Sequence, residues 1–291
     1  MELADRVAVI TGGAGGIGAA LCRALLAEGM KVVVADHRAD AVAEAEASLQ
    51  ASGDVLGVVA DVTSIESMEA LADATWTRYG GCHLLCNNAG VGAPAALVWE
   101  TTPNDWRWVH GVNVMGVVNG ILAFVPRMIA SGEPGHVINT SSGDGGIEPI
   151  PTASVYATSK AAVSSLTECL AQQLVSEGTA LRASIFYPSG GLLRTGMWES
   201  ERNRPPELAR EKPRPTESMT IERLEAMAEE KGFPLPWQDL DELAQIVVAG
   251  LKDDDEFVHM IDRDSMGPTL HRRADELAAG RLPTHEKGPL G

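Results

Sequence analysis

The segment Thr11-Gly12-Gly13-Ala14-Gly15-Gly16-Ile17-Gly18 decides the fold because it lies between a predicted strand and a predicted helix. Residues 6–10 form a short apolar run, and residues 16–29 carry apolar side chains at helical spacing. Glycines at such a junction permit a tight turn and let a phosphate approach the backbone N–H groups at the helix N-terminus. The segment therefore indicates a nucleotide-binding turn, although a glycine-rich loop alone could equally be only a turn.

Strands and helices alternate along most of the remaining chain. Further apolar strands are predicted at residues 31–35, 55–60, 83–86, 136–139, 183–187 and 257–260. Helices are predicted at residues 39–52, 64–79, 102–131, 154–177 and 239–251. Apolar strands that alternate with helices are typical of a parallel sheet covered on both faces, so we expect an α/β fold.

The alternation is interrupted between Ser189 and Trp237, where proline, arginine and glutamate are frequent. An insertion of this length is either a flexible linker or a lid over an active site, and its place directly after a strand favours the lid. We expect one catalytic domain over residues 1–265, with the substrate-loop insertion at residues 190–237. Residues 266–291 read as a polar C-terminal tail with one short helix near residues 270–279.

The composition and net charge of the chain limit the kinds of binding partner that we expect. The chain has 291 residues, a formal net charge of −17 and a hydrophobic content of 45%, which predicts a large core. An acidic surface disfavours nucleic acid and anionic membranes as partners. The first residues lack the pattern of a signal peptide, and no stretch reads as apolar enough to span a bilayer, so the cytoplasm is the expected location.

The cysteines do not suggest a metal site. Their spacing differs from that of a zinc knuckle, and no histidine cluster completes a ligand set. We therefore expect no metal and four small buried thiols. They are Cys22, Cys82, Cys86 and Cys169.

Asp36 ends the second predicted strand, about twenty residues after the glycines. A carboxylate at this place would accept hydrogen bonds from the adenosine ribose and repel a 2′-phosphate, which favours NAD over NADP. Arg38 could instead pair with a 2′-phosphate, but no basic residue lies in the glycine segment to assist it. Asp61 ends the third strand, where it could meet the adenine edge or simply begin the next helix.

Three further motifs follow in order: Asn87-Asn88-Ala89-Gly90 after the fourth strand, Ser142 after the fifth, and Tyr156-Ala157-Thr158-Ser159-Lys160 in the next helix. With them, residues 6–195 resemble the short-chain dehydrogenase/reductase family, and the likeness continues more weakly to residue 260. The resemblance implies a single-domain, Rossmann-like, doubly wound parallel sheet that pairs through helices 102–131 and 154–177 as a homodimer or homotetramer. Its cofactor contacts would be Gly12, Gly16, Ile17, Gly18, Asp36, Arg38, Asp61, Val62, Asn88, Ala89, Gly90, Tyr156, Lys160, Leu193 and Thr195.

Tyr156 and Lys160 lie four residues apart, so on a helix both side chains face the same way. A free tyrosine has a pKa near ~10 and is a poor base at neutral pH, but a nearby cation favours the phenolate. Lys160 and an oxidised nicotinamide would supply two such charges. We therefore expect Tyr156 to be the general base for alcohol oxidation and the general acid for ketone reduction.

Ser142 is expected to hydrogen-bond the substrate oxygen, with Ser141 as a rival. The family usually places this serine thirteen residues before the tyrosine, where this chain has Gly143, so a one-residue loop insertion is expected. Asn113 lies in a predicted helix, where asparagine is unfavourable. The resemblance implies that its backbone carbonyl holds a water connected to Lys160, which completes a proton relay.

The sixth strand ends in Tyr187-Pro188-Ser189-Gly190, where the family usually has Pro-Gly and then a threonine that bonds the cofactor carboxamide. The contacts carried over here are Thr195 and the Leu193 backbone. Beyond them, Met197 and Trp198 would either roof a hydrophobic substrate or anchor the loop.

A narrower likeness, in Asp105-Trp106-Arg107-Trp108-Val109 and in residues 111–136, is to bacterial Cα-dehydrogenases that oxidise benzylic alcohols of lignin-derived aryl ethers. The leading hypothesis is an NAD-dependent enzyme that interconverts a secondary alcohol and a ketone on a hydrophobic or aromatic small molecule. The alternatives are an epimerase or dehydratase that retains NAD, and a non-catalytic nucleotide-binding scaffold.

Overall fold

The structure, a computed structural model, describes residues 1–188, 191–213, 219–253, 256–260 and 263–285. Its strands are β1 (Val7–Thr11), β2 (Lys31–Asp36), β3 (Val55–Val59), β4 (Leu84–Asn87), β5 (Gly135–Thr140), β6 (Leu181–Phe186), β7 (Leu192–Leu193), β8 (Trp237–Gln238) and β9 (Val258–His259). Its α-helices are α1 (Gly16–Ala27), α2 (Ala39–Leu49), α3 (Ile65–Tyr79), α4 (Pro103–His110), α5 (Gly116–Ser131), α6 (Gly143–Gly146), α7 (Ser154–Ser176), α8 (Ile221–Lys231), α9 (Leu240–Lys252) and α10 (Arg263–Ala278). The 3-10 helices span Gln50–Ser52, Val98–Glu100, Gly196–Asn203 and Pro206–Leu208, and Gly111–Met115 is a π-helix.

Seven of these strands form one parallel sheet in the order β3-β2-β1-β4-β5-β6-β9. The two faces of the sheet carry separate apolar clusters. Leu21 of α1 and Leu243 of α9 are fully buried on one face, while Met68 of α3 and Phe124 of α5 are fully buried on the other. Helices thus cover both faces, which confirms the predicted doubly wound α/β fold.

The predicted helix 102–131 is continuous but contains a π-helical turn at Gly111–Met115, between α4 and α5. On length and composition alone, the stretch Pro103–Ser131 could cross a membrane, so the expectation that no stretch is apolar enough was wrong. In the fold, α5 packs against α3 and β4. Its apolar side chains therefore contribute to the core of the protein.

Two other expectations from the sequence need correction. Cys22, Cys82 and Cys86 are buried, but Cys169 is exposed, because its position on α7 faces away from the sheet. The C-terminal helix α10 begins at Arg263 and is longer than predicted. Arg272 pairs with Glu148 at 2.6 Å, so α10 packs on the loop that follows β5. Ser189 and Gly190 lie outside the described residues.

The insertion has ordered structure over residues 191–213 and 219–237. Strands β7 and β8 pair in parallel through Leu192 with Trp237 and Leu193 with Gln238. Between them, the 3-10 helix Pro206–Leu208 lies against α4. The insertion is therefore attached to the domain at two places.

A buried ion cluster makes the second attachment. The Asp105 carboxylate on α4 pairs with Arg204 at 2.8 Å and with Arg210 at 2.6 Å. The three side chains are 1%, 4% and 7% exposed, respectively. Arg204 also lies over the Trp108 ring, with its guanidinium carbon 5.0 Å from the ring centroid. One carboxylate therefore holds two arginines that come about a hundred residues later in the chain.

We expect Asp105→Ala to lower the free energy of unfolding by about 3–5 kcal/mol, because it removes the buried carboxylate that both guanidinium groups share and leaves Arg204 paired with the more exposed Glu201. Chemical denaturation measures the loss, and limited proteolysis should show faster cleavage within residues 196–213. The matched control is Glu199→Gln, which breaks the Glu199–Arg202 pair; both of its side chains are about half exposed. The control should change stability by less than about 0.5 kcal/mol. Equal losses in the two variants would contradict the structural role of Asp105.

Candidate active site

The glycine segment forms a turn that only glycine accommodates at several positions. Gly12 and Gly16 have positive φ angles of 63° and 53°. A Cβ at Gly18 would lie 2.1 Å from the Gly12 carbonyl oxygen. The turn therefore brings the start of α1 directly against the end of β1, as the glycine spacing predicted.

The Thr11 hydroxyl joins this turn to the turn after β4. It donates a hydrogen bond to the Cys86 carbonyl and accepts the N–H groups of Asn88 and Ala89 at 3.0 and 3.1 Å. The Asn88 side chain donates to the Thr11 carbonyl at 3.0 Å. Asn88, which we predicted to contact the cofactor, thus uses its amide to fix the two turns together.

A cavity of about 760 Å³ runs along the carboxyl edge of the sheet. A side chain at Gly15 would project into it, since no described heavy atom lies within 4 Å of its Cβ position. The volume, the glycine floor and the helix N-terminus fit an extended dinucleotide with a pyrophosphate. Of the predicted cofactor contacts, the cavity is lined by Gly12, Gly16, Ile17, Asp36, Arg38, Asp61, Val62, Asn88, Ala89, Gly90 and Thr195.

Asp36 lies at one end of this cavity with its side chain 10% exposed. Its Oδ1 accepts the Arg38 N–H at 3.2 Å and lies 3.2 Å from Nδ1 of His37. Burial alone would raise the pKa of Asp36, but these hydrogen bonds and the two nearby cations hold it below its usual value. Asp36 is therefore ionised at neutral pH and has a second oxygen available for a ligand.

Asp61 and Val62 line the cavity near Asp36, but each also has a structural partner. The Asp61 carboxylate accepts the backbone N–H and the hydroxyl of Thr63 at 2.9 and 2.8 Å. The Val62 carbonyl accepts Asn119 of α5 at 2.9 Å. These hydrogen bonds fix the turn after β3. The N-cap of α3 is Ser64 rather than Asp61.

Tyr156 and Lys160 lie on the same side of α7, as their spacing predicted. Lys160 is 2% exposed, and its ammonium lies 5.7 Å from the centre of the Tyr156 ring. It donates to the Thr140 carbonyl at the end of β5, at 2.8 Å. The Cβ position of Gly90 is 3.6 Å from this ammonium, so the lysine also reaches the cavity edge after β4.

The protein environment disfavours the charged form of both groups. Burial raises the pKa of Tyr156 to about 12; a hydrogen bond with Ser142 opposes this rise, and the Asp144 charge adds to it. Burial lowers the pKa of Lys160 to about 8. In the chain without cofactor, burial is thus the largest cause of both shifts. The expectation that Lys160 and an oxidised nicotinamide together favour the Tyr156 phenolate stays a prediction.

The two serines after β5 have different partners. Ser142 lies close enough to Tyr156 to lower its pKa, and its hydroxyl accepts the Asp144 N–H at 3.2 Å. The Ser141 hydroxyl instead donates to the Lys160 carbonyl at 2.8 Å and contacts Ser164. The loop after Ser142 is shaped by Gly145, whose φ is +92° and whose Cβ would lie 2.0 Å from the Ala157 carbonyl oxygen. Of the two serines, only Ser142 is brought to the tyrosine.

Asn113 is fully buried in the π-helical turn. Its amide donates to the Val91 carbonyl and to Ser159, both at 3.0 Å, and its oxygen accepts the Val91 N–H at 2.8 Å. The side chain therefore ties the loop after β4 to α7. A π-turn shifts backbone carbonyls out of α-helical pairing and is frequent at functional sites.

The insertion supplies one wall of the cavity. Thr195 lies against Gly16, with a methyl group 3.2 Å from its Cβ position, and Met197 contacts Gly92. Trp198 is turned the other way, because its indole N–H donates to the Leu193 carbonyl at 2.8 Å and its ring meets Trp237. The structure thus places Thr195 and Met197 on the cavity, whereas Leu193 and Trp198 anchor the insertion.

The sequence reasoning missed several residues at this site. His37 follows Asp36 directly, and that adjacency was a visible signal. For Asp105 the signal was weaker: it lies three residues after Thr102, and the two form a capping box at the start of α4. Asp144 lies two residues from Ser142, and burial raises its pKa to about 6. The arginines that meet Asp105 had no signal, because their partner is remote in sequence.

Comparisons with known proteins agree with this geometry. The family model for short chain dehydrogenases matches residues 6–206. The C alpha-dehydrogenase of a Sphingobium species is 39% identical over 206 residues, which cover 70% of this chain and 66% of that protein. This relative bears out the narrower likeness, although the chain matches slightly less than two thirds of its length.

Solved structures with a similar fold include two that hold a nicotinamide cofactor. A short chain dehydrogenase/reductase from Burkholderia phymatum in complex with NAD has a TM-score of 0.87 and 35% identity, with 99% of both chains covered. A metagenomic short-chain oxidoreductase in complex with NADP has a TM-score of 0.60 and 30% identity, covering 65% of this chain and 84% of that one. The family model covers more than half of the chain, and the fold and motif order agree with it, so this protein belongs to the short-chain dehydrogenase/reductase family.

Proposed function

We propose that the protein is an NAD-dependent dehydrogenase that interconverts a secondary alcohol and a ketone on a hydrophobic small molecule. The observation that carries the proposal is the grouping of Ser142, Tyr156 and Lys160, because Lys160 reaches Gly90 on the edge of a dinucleotide-sized cavity. The C alpha-dehydrogenase relative makes benzylic alcohols the first substrates to test. Met197 on the cavity wall supports an apolar substrate.

Tyr156 is proposed to move the proton, and Ser142 to hold the substrate oxygen beside it. When bound, NAD supplies a hydride acceptor and a positively charged ring. In oxidation, the Tyr156 oxygen takes the hydroxyl proton of the alcohol; in reduction, it returns that proton to the carbonyl oxygen. Because burial raises the pKa of Tyr156 to about 12, Lys160 and a second cation must act together to stabilise its phenolate.

Asn113 is proposed to position the relay behind these groups. Its side-chain hydrogen bonds hold both the loop after β4 and Ser159 on α7. The π-turn there supports the expectation that its carbonyl holds a water near Lys160. Protons could then pass between Tyr156, Lys160 and solvent.

NAD is proposed over NADP because Asp36 is ionised and faces the end of the cavity. Thr195, in contact with Gly16, is proposed to meet the bound cofactor at the opposite wall. A homodimer or homotetramer is proposed through α5 and α7, where Leu122 and Val175 are 58% and 77% exposed. The cytoplasm is the proposed location.

Tyr156→Phe should lower kcat for alcohol oxidation by at least about a hundredfold, because it removes the only atom proposed to take the proton. Steady-state NADH formation from a panel of benzylic, terpenoid and steroid alcohols measures this. NADH binding should change little. Tyr79→Phe is the matched control, since Tyr79 bonds Asp54 away from the cavity. Wild-type turnover by Tyr156→Phe would rule out the mechanism.

Ser142→Ala should lower kcat/KM by about tenfold to a hundredfold, because the substrate oxygen loses a hydrogen-bond donor. Ser141→Ala is the comparison, since Ser141 bonds Lys160 and Ser164 instead. Thermal unfolding of both variants separates a catalytic loss from a folding defect. A larger catalytic loss in Ser141→Ala, with stability preserved, would transfer the proposed role to Ser141.

Fluorescence titration should show tighter binding of NADH than of NADPH at pH 7.5, and Asp36→Ala should remove most of the difference. The physical reason is repulsion between the Asp36 carboxylate and the 2′-phosphate, together with lost hydrogen bonds to the ribose. Asp40→Ala, at the start of α2, is the control for the change in net charge. Tighter binding of NADPH by the wild type would show that Arg38 dominates.

A further inference from the structure

His37 and Arg38 lie beside Asp36, where the proposed cofactor would place the adenosine ribose. We propose that His37 is a specificity-determining residue that makes the choice between NADH and NADPH depend on pH, because its protonated ring favours a 2′-phosphate. The inference rests on the proposed NAD site. It goes further because it assigns the selectivity to a titrating partner of Asp36 rather than to Asp36 alone.

The contacts of Asp36 show how the two residues are coupled. Nδ1 of His37 lies 3.2 Å from Oδ1 of Asp36, and Nε of Arg38 lies 3.8 Å from the same oxygen. The side chains of His37 and Arg38 are 47% and 39% exposed, so both remain within reach of a ligand. Both also line the same cavity as Asp36. A phosphate near the Asp36 carboxylate would therefore also be close to both basic side chains.

Protonation of His37 changes the balance of charge at this end of the cavity. The charged groups that act on His37 are Asp36 and Arg38 beside it and Asp61 after β3. With His37 protonated, two cations balance two carboxylates. With His37 neutral, the carboxylates outnumber the cations by one. Since a 2′-phosphate carries up to two negative charges and ribose hydroxyls carry none, only NADPH should respond strongly to this change.

The groups around His37 shift its pKa in both directions, and the net shift is upward. The hydrogen bond with Asp36 raises the pKa of His37 above its usual value, partial burial and Arg38 lower it, and Asp61 raises it. The ordinary histidine pKa of about 6.5 is already close to neutrality. The rise therefore keeps an appreciable fraction of His37 protonated near neutral pH.

The test compares dissociation constants for NADH and NADPH at about pH 6 and about pH 9, at constant ionic strength. In the wild type, the ratio of the NADPH constant to the NADH constant should fall as the pH is lowered. The 2′-phosphate itself titrates near pH 6, which also changes the ratio. His37→Gln keeps a polar side chain without the charge, so it reports the contribution of the phosphate alone.

We expect the wild-type ratio to change about three- to tenfold more than the ratio in His37→Gln over this interval. His37→Lys should keep the low-pH selectivity up to about pH 9, since its charge persists there. His271→Gln is the control, because His271 is exposed on α10 and does not line the cavity. It should behave as the wild type does.

Three results would overturn the inference in distinguishable ways. If His37→Gln and the wild type show the same pH dependence, His37 has no role in selectivity, and the NAD site stands. If His37→Lys gains no affinity for NADPH at high pH, the sign of the electrostatic argument is wrong. If neither dinucleotide binds at any pH, the proposed function fails together with the inference.

Discussion

The seven strands of the main sheet all run in the same direction, and the candidate site depends on this constraint. Parallel strands bring their carboxyl ends to one edge, so turns from distant parts of the sequence meet there. The Thr11 hydroxyl joins two of these turns, and Lys160 joins α7 to the end of β5 through the Thr140 carbonyl. The glycine turn and the Tyr156–Lys160 pair therefore come to one edge of the sheet although they are about 140 residues apart in the chain.

Burial is a main cause of the pKa shifts at the carboxyl edge of the sheet. It raises the pKa of Tyr156 to about 12 and lowers that of Lys160 to about 8, so burial acts against the charged form of each group. A further positive charge near Tyr156 would favour its phenolate. At Asp36, in contrast, hydrogen bonds and nearby cations outweigh desolvation and hold the pKa of the carboxyl below its usual value. The same physical balance thus gives opposite outcomes at these two places.

The insertion forms part of the cavity wall. Its first part closes one side of the cavity through Thr195 and Met197, and the Asp105 cluster fixes the following residues to α4. Removing one partner of such a buried cluster is costly, because it leaves buried charge poorly compensated. The wall of the cavity is therefore placed by contacts with α4, and α4 lies in the stretch whose sequence resembles the Cα-dehydrogenases.

The sequence by itself determined the alternating strands and helices, the glycine turn, and the helical pairing of Tyr156 with Lys160, because hydrophobic period, backbone freedom and helix geometry are local properties. It could not determine the direction in which Trp198 points, the exposure of Cys169, or the partners of Ser141 and Ser142. The pairing of Asp105 with Arg204 was equally out of reach. Only the tertiary structure decided these features, because they depend on which groups from distant parts of the chain pack together. The burial of a side chain depends on that packing and not on the local sequence.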